Sequence, residues 1–247
     1  MVKQSLPVQE NFWFSMYEFL YDCMVILDMH SIVIPAYNEE KRVGRTLVDY
    51  TNYFDSKGTD YELVVVCDGC TDKTVDVVKD LAKFRPRIKL FEVDKRLGKG
   101  GGVYYGFSKC SGDTIGFSDA DNAIVPVEYD KLLAALSNWD CAIASRREKD
   151  STTVVPNSKK SLVISMKIAS RVFNFLINTI FGINIKDTQC GAKVMKRNVY
   201  DVVKDQLMVN GFEFDVELIW VVKKNGYKVK EVGVKWVHDL DSKSSLK

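Results

Sequence analysis

Short β-branched or apolar runs alternate with longer stretches in which apolar residues recur every three or four positions. Ser31–Pro35, Tyr61–Cys67, Ile88–Val93, Thr114–Ser118 and Cys141–Ser145 read as strands. Between them the helical period predicts Glu39–Ser56, with Val43, Leu47, Tyr50 and Phe54 on one side. It predicts Thr71–Phe84, with Val75, Val78 and Leu81 inward and Thr71 or Asp72 as cap, then Lys99–Cys110 and Val127–Asn138. Strands that alternate with helices imply parallel pairing and an α/β sheet with helices on both faces. In such sheets ligands bind beyond the carboxyl ends of the strands.

The second half changes character. Residues 146–160 are polar and read as a loop. A long helix is expected over about 161–181. Its polar positions Lys160, Lys167, Arg171, Asn174 and Asn178 form one stripe, basic at its start, and the rest of the surface is apolar over a wide arc. Such a helix can lie in a membrane interface, or pack as a core helix with one wet stripe. A helix near 213–224 and a strand near 227–236 close the pattern. These readings divide the chain into an N-terminal extension (1–30), one domain (31–237) and a charged tail (238–247).

Composition narrows the class. The chain has 247 residues, 46% hydrophobic and 28% charged, with formal net charge +2. That apolar share suits a full core and excludes general disorder. Near-neutral charge excludes a general nucleic-acid binder. The longest uncharged run, Val172–Ile185, has fourteen residues, short of the roughly 20 that a span needs. Residues 12–27 are very apolar but carry Glu18 and Asp22. They read as an interfacial helix, an extra packed helix, or sequence upstream of a start at Met29, and not as a signal peptide.

Six cysteines stand at 23, 67, 70, 110, 141 and 190, and only Cys67 and Cys70 form a CxxC. With Asp68 between them, an activated thioredoxin-like pair is not expected, because an acid raises a thiol pKa. With His30 and His238 the only histidines, a zinc site has little support. Reduced thiols in a cytoplasmic protein fit the pattern.

Polar residues gather at the expected strand ends: Pro35–Glu40, Asp68–Asp72, Arg96–Gly100, Asp119-Ala120-Asp121 and Arg146-Arg147. In extended chain Asp119 and Asp121 point the same way, so together they can hold a hard divalent cation, which in turn neutralises a diphosphate. Lys99 sits among glycines that permit close approach of a phosphate. Gly98–Gly102 is neither a Walker loop nor a dinucleotide fingerprint.

IVIPAYNEE (32–40), VVVCDGCTDKT (64–74), RLGKGGGVYYGF (96–107) and FSDAD (117–121) resemble family 2 glycosyltransferases of the GT-A fold. DTQCGAKVMKR (187–197) and FEFDVELIW (212–220) resemble the dolichyl-phosphate branch, most of all its β-glucosyltransferases and next its mannosyltransferases. The resemblance implies an inverting, metal-dependent enzyme moving a hexose, glucose before mannose, from UDP-glucose or GDP-mannose to a polyprenyl phosphate. The enzyme would be cytoplasmic and peripherally attached to a membrane surface. Pro35, Ala36, Tyr37, Glu39 and Asp68 would then line base and ribose, and Lys99 and Ala120 would lie near the donor. Asp119 and Asp121 would hold Mg²⁺ or Mn²⁺, and Arg146 with Lys159 or Lys160 would receive the acceptor phosphate. Asp187 and Gln189 would face the sugar, with Asp215 the rival carboxylate for a base. Glu213, Asp215 and Glu217 also read as one wet helix turn. Two departures stand out. The family's Asp-Asp-Gly-Ser reads Cys67-Asp68-Gly69-Cys70, and the membrane anchor of the eukaryotic enzymes has only residues 12–27 as a counterpart. A polysaccharide or soluble acceptor, or a non-catalytic nucleotide-sugar-binding subunit, are the other readings.

Overall fold

The computed structural model describes residues 29–154 and 160–237, with only the backbone described over 160–170. The N-terminal segment 12–27, Lys159, the Lys160 side chain and the tail 238–247 lie outside the described residues.

The strands are β1 (His30–Ala36), β2 (Tyr61–Asp68), β3 (Ile88–Val93), β4 (Thr114–Ser118), β5 (Cys141–Ser145), β6 (Thr152–Val154), β7 (Ala192–Lys196), β8 (Val229–Gly233) and β9 (Lys235–Val237). The helices are α1 (Val43–Lys57), α2 (Thr74–Phe84), α3 (Lys99–Phe107), α4 (Pro126–Ala135), α5 (Lys160–Phe181), α6 (Arg197–Val203) and α7 (Phe214–Lys224). Seven strands form the main sheet in the order β3-β2-β1-β4-β7-β5-β8. All neighbours run parallel except β7, which is antiparallel to both β4 and β5. β6 and β9 pair as a small second sheet, so part of the expected 146–160 loop is strand.

Alternation along the strands builds two cores. Ile32, Ile34, Leu63, Val65 and Cys67 pack with α1, α2 and α4 on one face. Val33, Val64, Val66, Ile115 and Phe117 pack with α3, α6 and α7 on the other. Every residue of β2 is buried, as a central parallel strand covered on both faces requires. The expected α/β class with helices on both faces is what the chain adopts.

The long helix departs from the expected wet stripe at its two asparagines, Asn174 and Asn178, while Arg171 of the same stripe is exposed. Asn174 is buried, and its amide nitrogen donates to the Lys186 carbonyl while its side-chain oxygen accepts from Thr188 at 2.8 Å. Asn178 donates to the Ile185 carbonyl (2.7 Å) and accepts from the Ile185 amide (3.0 Å). The two asparagines therefore satisfy the backbone of Ile185 and Lys186 and hold the Thr188 hydroxyl, and the apolar residues Val172, Phe175, Leu176, Ile180 and Phe181 are exposed.

Candidate functional site

The carboxyl ends of β1, β2, β4 and β5 meet along one edge, and the loops that follow them are fastened to one another. After β1, Asn38 turns in the left-handed region (φ 55°), and its side-chain oxygen accepts from the Thr71 amide at 2.7 Å. The Glu39 amide donates to Thr74 Oγ1 at 2.7 Å, and Asp72, the expected cap, accepts from the Thr74 amide at 2.9 Å. Asp68, at the end of β2, accepts from the amides of Leu97 (2.6 Å) and Gly98 (3.0 Å). The expected nucleotide-binding acid thus also holds the loop that begins α3.

The glycines of that loop serve protein packing. A Cβ at Gly98 would meet the Asn210 carbonyl at 2.5 Å, and one at Gly100 the Val209 carbonyl at 2.3 Å. The 209–211 segment fills the space expected for a phosphate there, and its Asn210 carbonyl accepts from the Gly100 amide at 2.9 Å.

Lys99 reaches Asp119 at 2.8 Å. Burial alone would lower the Lys99 pKa, but Asp119, Asp215 and Asp121 outweigh it and raise the value. Asp121 accepts from the Ala123 amide at 3.0 Å. Burial, with Asp119 beside it, pushes the Asp121 carboxyl above its ordinary value. Ala120 between them is buried, and its carbonyl accepts from Thr46 at 2.7 Å.

Arg146, just beyond β5, grips Asp187 with Nε (2.8 Å), an Nη (2.8 Å) and its backbone amide (2.9 Å). Asp187 is buried. Burial would raise its pKa, yet the Arg146 bonds and charge hold it below the usual carboxylate value. Arg146 also feels the charge of Asp119, the partner of Lys99. Beside it, burial and the charges of Arg146 and Arg171 lower the Arg147 pKa against the pull of Asp187.

The other expected residues are placed as follows. Pro35 and the buried Ala36 end β1, and Tyr37 lies under the Arg96 guanidinium, 3.6 Å from the ring centre. Glu39 forms a fork with Arg42 at 2.5 and 2.6 Å. Gln189 is exposed. Asp215 is buried and paired with Lys193, and Glu217 accepts from the Val209 amide (2.9 Å) and Tyr104 (3.0 Å). Glu213, just before α7, is exposed, but Asp215 and Glu217 are engaged by the protein, so the three acids are not one wet turn.

A sequence model described as Glycosyl transferase family 2 matches residues 31–203. The chain belongs to glycosyl transferase family 2. Two curated relatives are named Dolichyl-phosphate beta-glucosyltransferase. The one from Saccharomyces cerevisiae is 33% identical, over 87% of this chain and 69% of that protein. The one from Drosophila melanogaster is 32% identical, over 86% and 68%. Glycosyltransferase AglD of Haloferax volcanii is 28% identical over 87% of this chain, but the match spans only 34% of AglD. The dolichyl-phosphate branch expected from the motifs is thus the branch of the relatives.

Among solved structures, glucosyl-3-phosphoglycerate synthase from Mycobacterium tuberculosis superposes with TM-score 0.58 at 18% identity, covering 85% of this chain and 69% of that one. S. aureus TarS 1-349 gives 0.56 at 17%, covering 83% and 58%. These likenesses carry the GT-A fold. The synthase was crystallised with Mn²⁺ and uridine diphosphate.

For a family 2 glycosyltransferase the fit to a divalent cation is testable on this chain. Among the described residues no three His, Cys, Asp or Glu side chains converge as a protein-only metal cage. Mg²⁺ needs only one or two carboxylates when a substrate phosphate supplies the rest. Asp119 and Asp121 fit that role: the two carboxylates stand together just beyond β4, and Asp121 is largely buried beside Asp119.

Several residues of this edge escaped sequence reading. Arg42 acts on Asp121. Glu231 accepts from the amides of Lys186 (2.8 Å) and Asp187 (3.0 Å), which fixes the Asp187 loop. Lys193 is 1% exposed, donating to Asp215 and to the Cys190 carbonyl at 3.0 Å. Its available signal was a lysine at the second position of the apolar run AKVM, where a buried strand requires a partner.

Proposed function

We propose that the chain is an inverting, metal-dependent hexosyltransferase. It transfers glucose from UDP-glucose to a polyprenyl phosphate of the dolichyl type at the cytoplasmic face of a membrane. The observation that carries this reading is the adjacency of two centres of opposite character. A carboxylate pair, Asp119 and Asp121, suits a cation with a diphosphate. A guanidinium group, Arg146, Arg147 and Arg171, suits a second phosphate and stands at the start of the exposed apolar face of α5.

The acceptor chemistry agrees with the state of the candidate bases. Asp187 is held by Arg146, and Asp215 by Lys193. An alcohol acceptor needs a proton acceptor, and neither carboxylate is free of a cation. A phosphate monoester, with a second pKa of about 6, is already an anion at neutral pH. It needs positioning and charge neutralisation, which Arg146 with Lys159 or Lys160 supplies. The acceptor oxygen forms its bond to the anomeric carbon as the bond to the nucleoside diphosphate breaks on the opposite face, which inverts the centre. Asp187 and Gln189 orient the sugar, and Pro35, Ala36, Tyr37, Glu39 and Asp68 bind the nucleoside. Mg²⁺ or Mn²⁺ on Asp119 and Asp121 would offset the charge of the diphosphate.

No helix of the described residues is long and apolar enough to cross a membrane. The exposed side chains of Val172, Phe175, Leu176 and Ile180 support an interfacial role for α5 instead. The test offers radiolabelled UDP-glucose or GDP-mannose with dolichyl phosphate in detergent, followed by extraction into organic solvent. Metal-dependent passage of glucose label into the lipid phase is expected. Label that stays in water, as free sugar or on a soluble acceptor, overturns the acceptor; lipid label from GDP-mannose alone overturns the donor.

A further inference from the structure

The CxxC of β2 has a geometry that its sequence hides. Strand alternation puts Cys67 on the core face with Leu63 and Val65, while Asp68 points to the other face, toward Gly102 and the 97–98 amides. The acid between the cysteines is therefore not between the thiols. Gly69 turns in the left-handed region (φ 65°), which folds Cys70 back toward Ala36, the residue paired with Cys67 across β1 and β2. Cys70 donates to the Ala36 carbonyl at 3.4 Å. Cys67 is buried and Cys70 is partly exposed, so Cys70 is the more accessible of the two.

We propose that Cys67 and Cys70 form a reversible dithiol–disulfide site whose oxidation by a small disulfide loosens the 96–98 loop that Asp68 holds. The Cys67 side chain, aided by the Asn38 amide and the Thr74 hydroxyl, draws the Cys70 thiol down to about 7 against burial and Asp72. Cys110, Cys141 and Cys190 are pushed up to about 12, chiefly by burial. Thiolate fraction and access thus both select Cys70. Its thiolate attacks one sulfur of the reagent and expels the other as a thiolate. Cys67 then attacks Cys70 Sγ, its proton passing to the second departing thiolate. The pair gives up two electrons and two protons, and one small disulfide leaves as two thiols.

The consequence follows from what the turn is tied to. Gly69 donates to the Val93 carbonyl at 2.8 Å, and a Cβ there would lie 3.1 Å from the Arg96 amide nitrogen. A disulfide draws its two Cβ atoms to about 3.5–4.5 Å. Closing the turn over Asp68-Gly69 moves the carboxylate that accepts from Leu97 and Gly98. The thiol site stands apart from the proposed activity; only its effect on donor binding rests on Asp68 as a nucleotide ligand.

The experiment treats the full chain with oxidised glutathione and maps thiols by mass spectrometry. It follows amide exchange at Leu97 and Gly98 by NMR and titrates uridine diphosphate. A Cys67–Cys70 link without lasting glutathione, exchange at both amides faster by about tenfold, and reversal by dithiothreitol are expected. Cys70→Ser should abolish both the link and the faster exchange. Glutathione retained on Cys70, a link elsewhere, or a link with unchanged exchange overturns the proposal. A link with faster exchange and unchanged nucleotide affinity upholds the thiol site and removes Asp68 from the donor site.

Discussion

Arg146 holds Asp187 by three hydrogen bonds of 2.8 to 2.9 Å, two from its guanidinium and one from its own backbone amide. One residue therefore both neutralises the buried carboxylate and fixes its position. Arg146→Ala leaves Asp187 charged and unpaired, a change that costs about 3–5 kcal/mol in buried pairs. Arg146→Lys keeps the charge but loses the fork. Under the proposed acceptor role, Arg146→Lys is expected to raise KM for lipid phosphate at least about tenfold, with nucleotide affinity nearly unchanged. Equal losses for both ligands in titrations count against the acceptor assignment.

The same pair predicts an acid limb in stability. Its folded pKa is depressed, so Asp187 adds stability above its unfolded value of about 3.9. That contribution disappears as pH falls through the lower folded value. Urea midpoints at pH 7 and pH 3 should therefore show the margin of wild type over Asp187→Asn shrinking in acid. A margin independent of pH would mean the pair adds no such stability.

Lys193 and Asp215 are 1% and 4% exposed at their side chains, a fully desolvated pair. Lys193→Met strands a buried carboxylate and is expected to destabilise by about 3–5 kcal/mol. Adding Asp215→Leu should restore most of the loss, because a buried pair often exchanges for apolar residues at little net cost. Denaturation of the single and double variants measures this. The double variant also decides the rival base: lipid transfer near wild type removes Asp215 from the chemistry.

How much of this was legible in the chain differs by element. The five parallel strands and the four helices between them follow from period and from the strand-end residues Asp68, Asp119 and Arg146. β7 did not, because Ala192–Lys196 is five residues long and carries lysines at its second and last positions. A strand inserted antiparallel between β4 and β5 breaks the βαβ order that the earlier pattern sets. The orientation of α5 was also hidden. A polar stripe reads as wet, yet Asn174 and Asn178 turn inward to bond the 185–186 backbone, which joins no strand. Partners distant in sequence, such as Glu231 for the Asp187 amide, leave no local signal at all.

Asp121→Asn separates binding charge from folding. Asn retains an oxygen for the Ala123 amide, and it removes a carboxylate whose pKa is raised by burial and by Asp119. Thermal stability without metal is therefore expected to hold or rise. Metal-dependent transfer should fall by about 100-fold or more, the scale of losing one main electrostatic group. Calorimetry and lipid extraction read the two effects. Near-normal turnover would sink the metal assignment.

The outward face of α5 yields the last expectation. Phe175 and Ile180 are each 70% exposed, so neither contributes much to the fold. Burying a side chain of this kind in an apolar phase is worth about 1.5–3 kcal/mol, and about 1.4 kcal/mol is tenfold in partition. Phe175→Asp and Ile180→Asp should each lower binding to vesicles containing anionic lipid by about tenfold or more, while melting temperature changes little. Co-sedimentation with vesicles measures the first and calorimetry the second. Raising salt should weaken wild-type binding only in part, because screening acts on Arg147 and Arg171 and not on the apolar side chains. Undiminished sedimentation of both variants would turn the membrane contact away from this helix.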